Sequence, residues 1–201
     1  VLLKDYGIKV ELTATKRVGY HRYTFPKSNQ SSIIFDLGHR QGESSGVEDA
    51  SAVWTNGNEI EGRVITYPEY LKFCDPNKRV TMYFVGRLSK KPEEIGAFTD
   101  EAIQEGVSET SGINNGLYAT FQTEQNEVIE MQVGMSYTSI EHARENLDIE
   151  TKGQGFDLVK EEAHQEWRKM LGRIEVKGKN ENDKLKFYTG LYHALLGRGV
   201  S

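Results

Sequence analysis

The chain has 201 residues, 37% of them hydrophobic and 27% charged, which is enough for one sizeable core and unlike a disordered polypeptide. Its net charge is −5, and the excess acidity lies before Ser139, where there are 19 acidic and 14 basic residues, against 11 of each beyond it. That balance argues against nucleic acid, whose phosphates need a basic face, and suits a neutral polymer such as a glycan; with no run of about 18 apolar residues, no membrane span is expected either.

From Ile8 to Thr15 apolar and polar residues alternate, and they do so again from Tyr20 to Phe25 after a short turn at Lys16-Arg17-Val18-Gly19. Period-two alternation predicts strands with one buried face, here a β-hairpin ended by Pro26. Ile33–Leu37 predicts a further strand, and the small, polar stretch Gln41–Ala50 a loop. Ala52–Thr55 and Ile60–Tyr67 flank Asn56-Gly57-Asn58, a tight-turn signal. Val80–Leu88 is rich in β-branched and aromatic residues and predicts a strand, Pro92–Thr99 is ambiguous, and Leu117–Thr123 and Val128–Tyr137 are strands separated by the polar turn Glu124-Gln125-Asn126-Glu127. About eight strands on short turns, with no crossover helices between them, predict a mainly β fold, an antiparallel β-sandwich.

The period changes after Ser139. Ser139 is placed to cap a short helix, Ile140–Leu147, and Thr151–Gly155 breaks the chain. Phe156, Val159, Ala163, Trp167 and Met170 recur at three- and four-residue steps and predict an amphipathic helix, Phe156–Leu171, closed by Gly172. A short extended piece, Ile174–Val176, and a polar turn, Gly178–Asn182, lead to a last helix from Asp183 to Leu196, capped by Asn182 or Asp183. Phe187, Tyr188, Leu191, Tyr192, Leu195 and Leu196 make it apolar around most of its circumference, the pattern of a helix buried between partners. The chain is therefore expected to be part of a larger protein.

No local catalytic motif occurs: no nucleophile elbow, zincin helix, phosphate loop or dinucleotide fingerprint. Lys152-Gly153-Gln154-Gly155 lacks the strand–turn–helix context of a phosphate site and reads as a linker. Cys74 is the single cysteine, so it forms neither an internal disulfide nor a zinc cluster, and a half-buried side chain is expected. Asn29-Gln30-Ser31 fits a glycosylation sequon, which alone does not establish secretion. Among the histidines, His142 lies one turn from Glu145, half of a carboxylate-bridged metal site with no second half, and His193 reads as a core or interface histidine. Asp36, at a strand end, is either a special carboxylate or a turn-closing one, the latter favoured. Trp54, beside a turn, is the one candidate for stacking on a sugar, with core packing as the default, and Tyr67, Tyr70 and Phe73 cluster near Pro68. No residue is assigned to catalysis or to a metal.

Several blocks carry a resemblance. Val10-Glu11-Leu12-Thr13-Ala14-Thr15 with Arg17 and Gly19-Tyr20-His21-Arg22-Tyr23-Thr24-Phe25-Pro26 is similar to the N-terminal domain of glycoside hydrolase family 92, the calcium-dependent α-mannosidases. The similarity continues through Val133-Gly134-Met135-Ser136-Tyr137-Thr138-Ser139-Ile140, Ala143-Arg144 and Asn146-Leu147, then Phe156-Asp157, Trp167 and Leu171, and finally Phe187-Tyr188-Thr189 with Leu191-Tyr192-His193. The resemblance implies a galactose-mutarotase-like supersandwich (residues 1–138), a helical linker (139–180) and the first helix of an (α/α)6 catalytic barrel (181–201). It implies exo-acting, inverting hydrolysis of α-mannosides, in which one carboxylic acid protonates the leaving oxygen and one carboxylate activates water about 6.5–9.5 Å away. Calcium, which takes several oxygen ligands, is expected in the full-length enzyme and not in this chain. The acid, base and calcium ligands are expected in the barrel beyond Ser201, the opening segment upstream of Val1 is expected to be absent, and the location is expected to be periplasmic or secreted. The implied partners are the barrel and mannose-containing glycans. Two other readings compete: a free-standing carbohydrate-binding sandwich without catalysis, and an enzyme of another family with the same plan, such as a glycoside phosphorylase.

Overall fold

The computed structural model describes residues 1–39, 45–68 and 73–196. Its strands are β1 (Leu2–Leu3), β2 (Ile8–Ala14), β3 (Val18–Phe25), β4 (Ser28–Asp36), β5 (Ser45–Trp54), β6 (Glu59–Pro68), β7 (Val80–Leu88), β8 (Glu94–Thr99), β9 (Ile103–Glu105), β10 (Glu109–Gly112), β11 (Asn115–Thr123) and β12 (Glu127–Ser136). Three helices follow, α1 (Ile140–Thr151), α2 (Phe156–Leu171) and α3 (Glu181–Leu196). A wide sheet runs β1-β2-β3-β12-β7-β6-β5-β10 and a narrow one β4-β11-β8-β9, so the fold is an antiparallel sandwich of eight and four strands.

The core lies between the sheets, because alternate side chains of facing strands all turn inward. On β11, Leu117, Ala119 and Phe121 are fully buried, and they meet Phe25, Ile60, Leu88 and Ile129 of the wide sheet. The hairpin β2–β3 pairs Leu12 with His21, and Gly57, at φ +64°, makes the β5–β6 turn. Leu12 was expected on a buried face and is 62% exposed. The narrow sheet has half as many strands as the wide one, and β5 and β10 at one end of the wide sheet lie against its strands β11 and β8.

Three sequence expectations need correction and one ambiguous segment is resolved. The small, polar stretch 45–50 is strand, not loop; β5 pairs with both β6 and β10, and a bulge between Val47 and Asp49 absorbs the irregularity. Residues 41–44 of that expected loop lie outside the described residues. The ambiguous segment is strand β8, and β9 and β10 are short strands without an alternation signal. Helix α1 continues to Thr151, whose hydroxyl donates to the Leu147 carbonyl at 2.7 Å, and the break follows at Gly153, φ +72°. Helix α3 begins at Glu181, where the Asn180 side chain accepts from the Asn182 amide at 3.0 Å, in place of the expected caps Asn182 or Asp183.

Backbone contacts divide the chain into two units, Val1–Phe156 and Asp157–Ser201, so α1 belongs with the sandwich. In the second unit Trp167 lies 4.7 Å from Tyr192, centroid to centroid, and the Tyr188 hydroxyl donates to the Ile174 carbonyl at 3.2 Å. Helix α3 has no buried residue, and its Leu185 and Leu196 are largely exposed.

Candidate functional site

The outer face of the wide sheet is where the sandwich acquires a feature. Helix α1 lies there against β12, β7, β3 and β6. Ser139 starts it by accepting from the His142 amide at 3.1 Å. Ala143 and Leu147, four residues apart, are fully buried, as are Val18, Tyr20 and Val85 on the strands beneath. Gly134 of β12 makes the close approach possible: a Cβ there would stand 2.5 Å from the Ala143 carbonyl oxygen and 2.7 Å from Leu147 Cβ. The blocks that carry the family resemblance include Gly134, Ala143, Arg144, Asn146 and Leu147, the residues of this junction.

Charges clamp the helix at both ends. Arg144 donates to Glu59 and Glu61 of β6, each at 2.6 Å, and Arg87 of β7 donates to Glu59 at 2.6 Å and to Asp148 of α1 at 2.9 Å. Glu59 is buried. Burial pushes its carboxyl up, but hydrogen bonds and charge from Arg144 and Arg87 outweigh that and hold it below its ordinary value. Near the far end of α1, Glu150 accepts from the Arg17 amide at 3.1 Å, from Arg17 Nε at 2.6 Å and from the Thr15 hydroxyl. Burial raises this carboxyl as well, and these donors again bring it below the ordinary value. Asn146 donates to the Met135 carbonyl at 2.8 Å, and Arg22 covers the buried Phe156 ring at 4.2 Å.

The helix thereby walls a groove of about 610 Å³ with the end of β12 and the β2–β3 turn. Its lining includes Arg17, Met135, Tyr137, His142, Glu145 and Ile149. His142 Nδ1 lies 2.7 Å from the Thr138 hydroxyl, itself 2.8 Å from that of Ser136, a relay of groups able to donate to or accept from ligand hydroxyls. Tyr137 is 73% exposed. Glu145 is the one carboxylate among the lining residues, so the groove does not assemble the acid and base that glycoside hydrolysis requires. The structure therefore brings His142 and Glu145 together on one wall of the groove, as their spacing predicted.

The other sequence candidates lie elsewhere. Trp54 is 8% exposed and packs edge-on against Phe35 at 5.4 Å within the core. Asp36 closes a turn, its Oδ1 accepting from the Gly38 and His39 amides at 3.0 Å each. His193 is exposed on α3, a helix with no buried residue among those described, so of the two expectations, core or interface, it is not a core histidine within the described residues. Cys74 is exposed, not half-buried, and so is Phe73; Tyr67 carries Arg79 over its ring at 4.2 Å, and Tyr70 lies outside the described residues. Asn29 is exposed on β4, while Ser31 is buried against Thr123 at 2.7 Å. Sequence reading missed the Glu59–Arg87–Arg144 cluster. Its signal was Glu59 and Glu61 two residues apart on one face of β6 and Arg87 before Leu88 on β7.

Residues 1–136 match the family model described as the glycosyl hydrolase family 92 N-terminal domain, and residues 142–200 match that of the family 92 catalytic domain. Among solved structures the chain is similar to a family GH92 α-mannosidase from Bacteroides thetaiotaomicron, with a TM-score of 0.83 and 26% identity over 96% of this chain and 25% of that one. It is similar to a family GH92 inverting mannosidase from the same organism, with a TM-score of 0.81 and 20% identity over 97% of this chain and 25% of that one, a likeness of fold. A third is a GH92 family glycosyl hydrolase, ccman5, with a TM-score of 0.75 and 26% identity over 92% and 24% of the two chains. The chain thus spans about a quarter of the length of these structures. No curated protein matches it.

Proposed function

The chain belongs to glycosyl hydrolase family 92, and from that premise we propose that it forms the sandwich, linker and opening barrel helix of an exo-acting, inverting α-mannosidase of the periplasm or extracellular space. One observation carries the reading: the N-terminal and catalytic family models match in order along one chain that superposes on α-mannosidase structures over nearly its whole length. The acid and base belong to the barrel, which packs on the exposed apolar residues of α3. The groove beside α1 walls one side of the mannoside pocket, where Tyr137 and the Ser136–Thr138–His142 hydroxyl and imidazole groups meet sugar. Calcium belongs to the barrel too. Among the described residues no three His, Cys, Asp or Glu side chains converge as a metal site would require, so no step is assigned to a metal here. The chain's own task is mechanical and steric: the sheet fixes α1, α1 fixes the groove, and the groove excludes water from one side of the substrate.

The purified 201-residue chain, incubated with an aryl α-mannoside and calcium, is expected to release no mannose; calcium-dependent release would overturn the assignment of the catalytic groups. In the longer protein, Tyr137→Ala is expected to raise KM with little change in kcat, and an unchanged KM would remove the groove from the pocket. The competing reading, a binding module without catalysis, is disfavoured by the match of residues 142–200 to the catalytic-domain model.

A further inference from the structure

The outer face of the narrow sheet has a composition that neither the core nor the α1 groove uses. Register places three rows of side chains there. Asp36, Gly116, Phe98 and Ile103 form one row; Ile34, Tyr118 and Gly96 the next; Ser32 and Thr120 the third. Each glycine is covered by the ring paired with it in its own row, from the neighbouring strand: Tyr118 over Gly96 and Phe98 over Gly116. A Cβ on Gly96 would fall well inside 3.0 Å of the Tyr118 ring, and one on Gly116 would meet the Phe98 ring as closely. Each ring therefore lies down over a neighbouring strand and turns a flat face outward, the arrangement by which an aromatic side chain fills a strand glycine. Ile34 is 65% and Ile103 74% exposed at the margins, and a shallow groove of about 610 Å³ runs across them.

We propose that this face is a second carbohydrate-binding surface, separate from the α1 groove, for a short, neutral oligosaccharide. The C–H bonds on one face of a pyranose carry partial positive charge and meet the negative face of an aromatic ring. Two rings on adjacent rows hold consecutive sugars, and the Thr120 and Ser32 hydroxyls and the Asp36 carboxylate take their hydroxyl groups. Asp36 is held in place by the Gly38 and His39 amides, so it is ordered before any ligand arrives. Among the described residues the lining has no lysine or arginine, and it shares its face with Glu94 and Glu105, which disfavours anionic glycans and nucleic acid. A protein partner is the poorer fit in area. With strands about 4.8 Å apart and same-face residues about 6.8 Å apart, the patch measures roughly 14 by 14 Å, or about 200 Å², whereas each partner of a stable complex buries about 800 Å². The groove volume falls within the range of small-ligand sites, about 300–1,000 Å³. The glycan reading above supplies only the choice of probe.

The test is a titration of the 201-residue chain, carrying ¹³C-labelled isoleucine methyls, with a linear α-mannotriose and separately with a trigalacturonate. The mannotriose is expected to shift Ile34 and Ile103 with a millimolar dissociation constant, whether or not Ile149 of the α1 groove also moves, and the trigalacturonate is expected to bind more weakly. Tyr118→Ala is expected to weaken binding about tenfold, the scale of one lost ring contact; the unmodified chain gives the methyl readout whether or not that variant folds. Four outcomes would overturn the proposal: no shift with either sugar, tighter binding of the anionic one, shifts of Ile149 alone, or concentration-dependent shifts of Ile34 and Ile103 without sugar, which would mark a contact between copies of the chain. Shifts of Ile149 alone would leave the proposed function standing, and activity assays of the longer protein judge that function independently of this face.

Discussion

Adding one methyl group at Gly134 should lift α1 off the sheet. With no neighbour, Gly→Ala in a strand would stabilise the chain by about 0.4–1 kcal/mol, since alanine restricts the unfolded state. Here the new Cβ stands 2.5 Å from the Ala143 carbonyl oxygen and 2.7 Å from Leu147 Cβ, and ordinary contact is 3.4–4 Å. The obstructing atoms are backbone and a Cβ, which no rotamer change can move, so the helix must retreat by about 1 Å, enough to forfeit a quarter to a half of each contact it makes. The Arg144 bonds to Glu59 and Glu61 at 2.6 Å then stretch out of hydrogen-bonding range. Overpacking of this kind costs about 1–3 kcal/mol, so the net expectation is a loss of about 1–2 kcal/mol after the alanine gain. Urea unfolding measures it, read from Trp54 fluorescence in a Trp167→Phe background so that the buried core tryptophan is the sole reporter. With a slope near 2 kcal/mol per molar, the midpoint should fall by about 0.5–1 M. A midpoint equal to or above the parent's would refute the docking of α1 on Gly134.

Three further outcomes are expected. Leu147→Ala removes a fully buried side chain from the same junction and should cost about 2–5 kcal/mol in the same unfolding assay. Arg144→Met should cost about 2 kcal/mol, less than the 3–5 kcal/mol of a fully buried pair because the arginine is one-third exposed; Arg144→Met with Glu59→Gln should recover part of that loss, and a double variant no better than the single would argue against a pairwise origin. Glu59 and Glu150 are held below the ordinary carboxylate value in the folded chain, so the unfolded chain takes up protons first as pH falls. Their contribution is therefore complete above the unfolded carboxylate pKa and lost as pH drops through the folded values, and stability measured from pH 7 down to 3 should decline below about pH 4.5; Glu59→Gln should flatten that decline.

The local pattern of residues determined much of this molecule. Alternation in Ile8–Thr15, Tyr20–Phe25 and Val80–Leu88 sufficed for strands, because period two is set by the backbone itself, and Ser139 and Asn56-Gly57-Asn58 marked a helix start and a turn through side-chain and φ preferences that act within a few residues. Strand β5 was hidden because its small, polar residues gain their strand conformation from pairing on both edges, a property of the neighbours and not of the segment. Which strands share a sheet, the eight-to-four division and the exposure of Leu12 depend on contacts between residues far apart in sequence. The same holds for the candidate sites. His142 and Glu145 were visible as a pair because helical spacing is local. Arg144 meets Glu59 across 85 residues, and Tyr118 lies over Gly96 only once β11 and β8 are in register. Long-range pairing follows from the summed burial of a whole sheet, so it has no signature in any one segment.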